Sequence, residues 1–384
     1  MRKKLAYVLS CVMLVLTCAG CAEKPTLEAK RPASFDPNKV STNSSTTSKS
    51  YLDKLLDAAQ AEGSLVVYGS CEEEYLSAAC KKFEKLYQID VEYERLSSGE
   101  VQSRIEAENG KPSADVWFGG TTDPYNVLAA NGLLMSYEAE NASHLQSEVY
   151  RDKDGYWYGI YKGILGFMVN TKELTRLGLD APKDWADLTN PDYKGLIWSS
   201  NYNTSGTAKL VLNTMIQKYG YEKGLNYLVE LDKNVEVYTK SGSGPAKNVG
   251  TGECVIGIGF LHDGTTQIVD NGYEDVALVI PESGTSYEIG ATAIFEGCEN
   301  PNAAKLWIEF ALSPACVELA ANNGSYQFVV LDNAAQPKQA YQFGLDPENV
   351  MDYDFEDAKA NTASYVEKVF EVLGEAVDER FQTE

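Results

Sequence analysis

Four short segments gather small hydroxyl residues and glycines just ahead of helical patterns: Gly69-Ser70-Cys71, Gly119-Gly120-Thr121-Thr122, Asn203-Thr204-Ser205-Gly206-Thr207 and Ser241-Gly242-Ser243-Gly244-Pro245. The first turn of a helix leaves backbone N–H groups without intrahelical acceptors and carries the positive end of the helix dipole. Such loops suit an oxyanion, for example phosphate or phosphonate. One loop alone is ordinary N-capping by Ser or Thr; four at strand ends facing one cleft point to a ligand. Pro245 fits the first turn of its helix. None of the four loops holds an arginine, and Arg95 and Arg104 are the nearest candidates. A second signal is His262-Asp263, just after the apolar run Val255–Phe260. A lone histidine is more often structural, but at a strand end beside a carboxylate it can meet a polar ligand as donor or acceptor. The chain has 2 histidines, and the other, His144, lies in a polar stretch. The acidic run Glu72-Glu73-Glu74 favours the start of its helix through the dipole; its other use would be to select an amine-bearing ligand such as an aminoalkylphosphonate.

Other chemistries fit less well. Ser70 or Ser205 with His262 and Asp263 can be written as a nucleophilic triad, but an Asp immediately after the His orients the imidazole poorly. The chain carries no G-x-S-x-G, HExxH or GxxxxGK[ST] motif, so neither an enzyme nor a cofactor is expected. Ferric binding calls for adjacent tyrosines and hard oxygen donors; none of the 24 tyrosines is paired as Tyr-Tyr, and Tyr326 stands alone in its NNGSYQF segment. Cys71, Cys80, Cys254, Cys298 and Cys316 lack zinc spacing. They read as structural, with Cys71–Cys80 and Cys298–Cys316 as local candidates for bridges in an oxidising compartment. No metal site is expected. A net charge of −23 argues against nucleic acid, which needs a positive footprint, and serves solubility.

The N-terminus reads as a secretory signal over residues 1–20: Arg2, Lys3 and Lys4, an apolar run from Leu5 to Leu16, then small residues before Cys21. That run is too short for a mature membrane span. Residues 21–50, rich in Ser, Thr, Lys and Pro, cannot bury enough apolar surface to fold and read as a tether. From Tyr51 onward, strand-like and helical runs alternate: Leu65–Tyr68, Tyr75–Tyr87, Val91–Tyr93, Gly99–Asn109, Val116–Phe118. The fold class is therefore α/β, with parallel sheets wrapped by helices. The length calls for two lobes. The chain crosses between them near Tyr158–Val169 and returns near Pro281–Ala293. That places residues 51–165 plus about 285–315 in lobe 1, and 166–284 plus about 316–384 in lobe 2. Ligands of such sheets sit beyond the carboxyl ends of the strands, so two facing lobes make a cleft that can close.

The order of motifs carries a resemblance. LVVYGS (65–70), ADVWFGG (114–120), GYWYGIYKGILGFMVNTKEL (155–174), DWADLTNPDYKGLIW (184–198), NTSGT (203–207), SGSGPAKNVGTGECVIGIGFLHD (241–263) and IPESGTSYEIGATAIFEGCENPNAAKLWIEFALS (280–313) follow in sequence. Over nearly all of residues 60–335 the chain resembles the type II periplasmic binding proteins of the family-1 extracellular solute-binding class. It is nearest the branch that binds ferric ion or phosphorylated ligands. The resemblance implies a two-lobed fold with a hinge and an interlobe cleft, and as partner an ATP-binding-cassette permease with its ATPase. In the sugar-phosphate branch a His-Asp pair and the Glu of a YEIG motif bind sugar hydroxyls, which here implies His262, Asp263 and Glu288. Cys18-Ala19-Gly20-Cys21 resembles a bacterial lipobox, with Cys18 where Leu is usual; it implies a diacylglycerol on Cys21 and an extracytoplasmic, membrane-anchored protein. The expected ligand is a small organic anion, a sugar phosphate first and phosphonate or ferric ion next. Its expected contacts are Ser70, Cys71, Gly119, Gly120, Thr121, Thr204, Ser205, Gly206, Thr207, Ser241, Gly242, Ser243, His262, Asp263 and Glu288. A sensory receptor feeding a histidine kinase fits the same fold, and a monomer is expected.

Overall fold

A computed structural model describes residues 50–374 and 376–382 of the chain. The readings of residues 1–49, including lipidation of Cys21, lie outside the described residues. Among the described residues there are twelve strands: β1 (Ser64–Gly69), β2 (Asp90–Arg95), β3 (Val116–Thr121), β4 (Leu134–Met135), β5 (Tyr158–Asn170), β6 (Ile197–Ser200), β7 (Val235–Thr239), β8 (Ile256–Phe260), β9 (Val276–Val279), β10 (Tyr287–Phe295), β11 (Phe328–Val329) and β12 (Phe381–Gln382). Their order is β12-β7-β6-β8-β5-β10-β3-β1-β2, with β4 on β10 and both β9 and β11 on β5.

The 13-residue strand β5 belongs to both halves of that path and is buried along its whole length. Residues 158–164 pair antiparallel with β10, and residues 165–170 with β8 and β9. At the changeover the Leu165 N–H donates to the Ser286 carbonyl, and Thr285 Oγ1 donates to the Leu165 carbonyl. Two cores result, one on each side. Helix Glu73–Tyr87 repeats apolar residues every three or four positions, which gives one buried face through Tyr75, Leu76, Ala79, Cys80, Phe83 and Tyr87. That face meets Trp307, whose ring packs 5.2 Å from Phe83 and 5.3 Å from Phe118. The second core gathers Phe167, Trp185, Leu212 and Met215 with Tyr353, Val366 and Val369 near the C-terminus.

Two expectations are corrected here. The segment from about 316 was assigned to lobe 2, but Val317, Ala320, Val329 and Leu331 pack in the first core. The reason is β11, which pairs with the first half of β5 at Tyr161 and Lys162. The candidate bridges Cys71–Cys80 and Cys298–Cys316 are not formed. All five described cysteines are buried free thiols, four of them packed as small apolar side chains in the first core.

The lobes touch across the cleft through helix Ser98–Glu108. Its Gly99 N–H donates to the Thr204 carbonyl at 3.0 Å, and its Glu100 meets Lys240 at 2.6 Å. Behind the cleft, Asn213 Nδ2 of the second lobe donates to the Asp123 carboxylate at 3.1 Å and to Thr362 Oγ1 at 2.8 Å. A Cβ on Gly99 would stand 2.3 Å from the Asn203 carbonyl oxygen.

Gly99→Ala should therefore separate folding from closure. Alanine in a helix is favoured over glycine by about 0.5–1 kcal/mol, so the unliganded melting temperature should hold or rise. The closed form should lose about 1–3 kcal/mol through overpacking, a roughly five- to hundredfold loss of ligand affinity. Calorimetric titration beside thermal unfolding checks this; unchanged affinity would contradict it.

Candidate functional site

The cleft is built where strand ends meet helix starts. At the end of β3, Gly119 and Gly120 have φ of +80° and +81°, a conformation open to glycine. A Cβ on Gly119 would fall 2.8 Å from the Cys71 Cβ, and one on Gly120 would fall 2.3 Å from Ser98 Oγ. Tyr161 Oη of β5 accepts the Gly120 N–H at 2.9 Å and fixes the loop. Ser205 caps helix Gly206–Tyr219 by accepting from the Ala208 N–H, and Gly206 and Thr207 open that helix. Helix geometry leaves their N–H groups without intrahelical acceptors. Thr121 Oγ1, buried and without a hydrogen-bond partner, faces this helix start: a Cβ on Gly206 would lie 2.1 Å from it.

Twelve of the sequence-predicted residues line one interlobe cavity: Ser70, Gly120 and Thr121 from one side, Ser205, Gly206, Thr207, Ser241, Gly242 and Ser243 from the other, and His262, Asp263 and Glu288 at its inner end. Cys71, Gly119 and Thr204 stand just behind it. Cys71 is buried against Gly119, and Thr204 Oγ1 donates to the Lys240 carbonyl. The cavity measures about 40 Å³, room for a few waters. The lobes thus stand close together over the cavity, joined by Arg95–Ser241 and Gly99–Thr204.

The lining also includes Arg95, Glu72, Ser97, Ser98, Tyr161 and Phe260. Arg95 reaches the cleft because the parallel register of β1 and β2 sets it opposite Gly69. Its Nε donates to the Cys71 carbonyl at 3.3 Å and its Nη2 to Ser241 Oγ at 3.2 Å, across the cleft. Arg104 instead pairs with Glu94 and packs over Tyr68. Ser97-Ser98-Gly99 is a fifth hydroxyl-glycine run at a strand end, the pattern already read in four other loops.

The inner end is acidic. His262 is stacked on Phe260 with ring centroids 5.4 Å apart, and its Nε2 lies 3.6 Å from Asp263 and 3.9 Å from Glu288. Gly163 of β5 makes room for it, since a Cβ there would lie 2.7 Å from the His262 ring and 2.8 Å from Glu288. Glu72 does not cap its helix; its carboxylate accepts from Ser325 Oγ at 2.7 Å and Gln327 Nε2 at 2.8 Å. Burial pushes the His262 imidazole down to about 4, against the pull of Glu72. Burial, then the charges of Glu72 and Glu288, push Asp263 well above the carboxylate range, and burial followed by Glu72 does the same to Glu288. For Glu72 burial acts upward too, but His262 and hydrogen bonds from Ser325 and Asp263 outweigh it and hold the group low. At neutral pH the imidazole is therefore uncharged and Glu72 ionised, while the same surroundings work against ionisation of Asp263 and Glu288.

A pH dependence follows. Asp263 and Glu288 keep protons that the unfolded chain releases near pH 4, so their stabilisation is lost as pH rises from there through their raised values. His262, lowered to about 4 from 6.5, works oppositely between those two values and drops out above them. Thermal unfolding of Asp263→Asn should thus show a variant that gains on the wild type as pH rises above about 4. A constant difference would contradict the buried, protonated acid.

Comparison with known proteins gives a consistent picture. The model of the bacterial extracellular solute-binding protein family matches residues 120–349. An uncharacterized protein of Haemophilus influenzae is 37% identical over 323 residues, 83% of this chain and 92% of the relative. The periplasmic binding protein AfuA from Actinobacillus pleuropneumoniae, solved with exogenous fructose-6-phosphate bound, matches with a TM-score of 0.76 and 35% identity over 80% of this chain and 98% of AfuA. The periplasmic binding protein P5PA matches with a TM-score of 0.75 and 32% identity over 80% and 98%. A ferric binding protein from Campylobacter jejuni, TM-score 0.68 at 20% identity over 81% and 99%, shares the fold.

Proposed function

Because the chain belongs to the bacterial extracellular solute-binding protein family, the extracytoplasmic receptors of ABC-type importers, we propose that its own ligand is a sugar phosphate captured by lobe closure. The observation that carries this reading is a cleft with two unlike ends. At one end Arg95, the hydroxyls of Ser70, Thr121, Thr207 and Ser241, and the start of helix Gly206–Tyr219 suit a phosphoryl group. At the other, His262, Asp263 and Glu288 suit hydroxyls, as protonated acids can donate and carboxylates accept. The likeness to AfuA with its bound fructose-6-phosphate supports the same choice.

In this reading the open form takes the phosphoryl group on one lobe, and closure adds the contacts of the other. The ligand favours closure only through contacts it gains there. Arg95 makes one of them and lies between the lobes, so it couples anion binding to closure. The role is binding rather than catalysis. Ser70 Oγ accepts from Trp117 Nε1 at 2.9 Å and Ser205 Oγ from the Ala208 N–H, and among the described residues neither serine is hydrogen-bonded to His262, whose Nδ1 has no partner. The basic, apolar and small-residue order before Cys21 supports a lipid anchor that holds the receptor beside its permease.

The test is a calorimetric and thermal-shift panel of fructose 6-phosphate, glucose 6-phosphate, inorganic phosphate, a phosphonate and ferric citrate. Hexose phosphates should raise the melting temperature most. Arg95→Ala should cost about 1.5–3 kcal/mol of binding, roughly ten- to hundredfold. A rise with ferric citrate alone, with a visible charge-transfer band, would overturn the reading.

A further inference from the structure

The inner end of the cleft brings three acids, Glu72, Asp263 and Glu288, around one imidazole. Glu72, His262 and Asp263 bring ligand-capable atoms within 4.8 Å of one another, and Glu288 Oε1 lies 3.9 Å from His262. Of the cations in this region, Arg95 is bonded to Cys71 and Ser241 and Lys162 to the Pro347 carbonyl, while Lys247 faces the outer cavity and is the smallest of the influences on Asp263. His262, 4% exposed, has an Nδ1 with no hydrogen-bond partner. The acidity also continues outward. Glu72 and Asp263 line a second cavity of about 660 Å³, whose wall adds Glu74 and Asp270 against Lys247. Buried carboxylates this close cannot all ionise without a counter-charge.

We propose that the preferred ligand carries an ammonium group as well as its phosphoryl group, and that the ammonium seats among Glu72, Asp263 and Glu288. The class is an amino sugar phosphate. This rests on the phosphate-binding reading above and narrows it. An ammonium presents three donors to three acids, whereas a hydroxyl presents one. On binding, protons held by Asp263 or Glu288 leave to solvent, and the ligand's charge replaces them.

The test is titration of the purified protein with glucosamine 6-phosphate, glucose 6-phosphate and N-acetylglucosamine 6-phosphate, which share the phosphoryl group and differ in charge at one ring position. Glucosamine 6-phosphate should bind at least tenfold more tightly than either of the others. The advantage should fall to near one in Glu72→Gln. Glucose 6-phosphate binding as well or better would overturn the inference and leave the sugar-phosphate reading standing; binding of none of the three would overturn both. Zinc or manganese ion binding alone and erasing the amino preference would overturn it too, by making the cluster a metal site. The wild-type ratios decide the matter even if Glu72→Gln fails to fold.

Discussion

Strand β5 is the constraint on which the rest of the structure depends. One continuous strand must satisfy its backbone N–H and carbonyl groups in two sheets at once, and its burial leaves no water to substitute. Relative motion of the lobes therefore has to be absorbed where the pairing changes hands, around Leu165 and Ser286. Each ladder then stays intact while the angle between them alters. The same strand carries Tyr161 and Gly163, which position Gly120 and admit His262 and Glu288. The inner end of the ligand site is thus built on the hinge, and the bridging contacts Arg95–Ser241 and Gly99–Thr204 are made between the lobes.

The two ends of the cleft differ in what closure does to them. Around Arg95 and the helix starts, removal of water strengthens the attraction for an anion, because fixed dipoles and a permanent cation remain. Around His262 it works against free charge: burial pushes Asp263 and Glu288 up and the imidazole down. A cationic outer end beside an inner end of acids, Glu72 among them ionised, fits a molecule with an anionic terminus and a terminus rich in donors.

Much of this was legible in the sequence, because helix starts announce themselves locally. The loops after β1 and β3, and those leading to Ser205 and Ser243, were readable from Ser, Thr and Gly at the boundary of strand and helix. His262-Asp263 was readable from a strand that stops. What stayed undecided, or escaped, depends on partners distant in sequence. Arg95 enters the cleft through strand register. Glu72 turns inward because Ser325 and Gln327 wait for it from the far end of the chain. Tyr161 sits in an apolar run where nothing marks one hydroxyl as aimed at a loop. Cys71, Gly119 and Thr204 were placed one layer too far forward, since sequence gives the loop but not which of its residues faces in. The packing of Val317 to Leu331 in the first core likewise rests on a two-residue strand, β11, too short to declare itself.

The place of β10 has a consequence for how the chain is made. It lies between β3 and β5 and completes the first sheet, yet it begins only at Tyr287, long after β3 ends at Thr121. The amino-terminal half of the molecule is therefore unable to finish folding as it emerges, although domains commonly fold in order of synthesis. Its strands must wait for the last third of the chain, and such distant pairing is slow. For a protein whose family works outside the cytoplasm, that delay is useful. A chain whose first sheet stays open until its last third is being synthesised can still be threaded through a membrane.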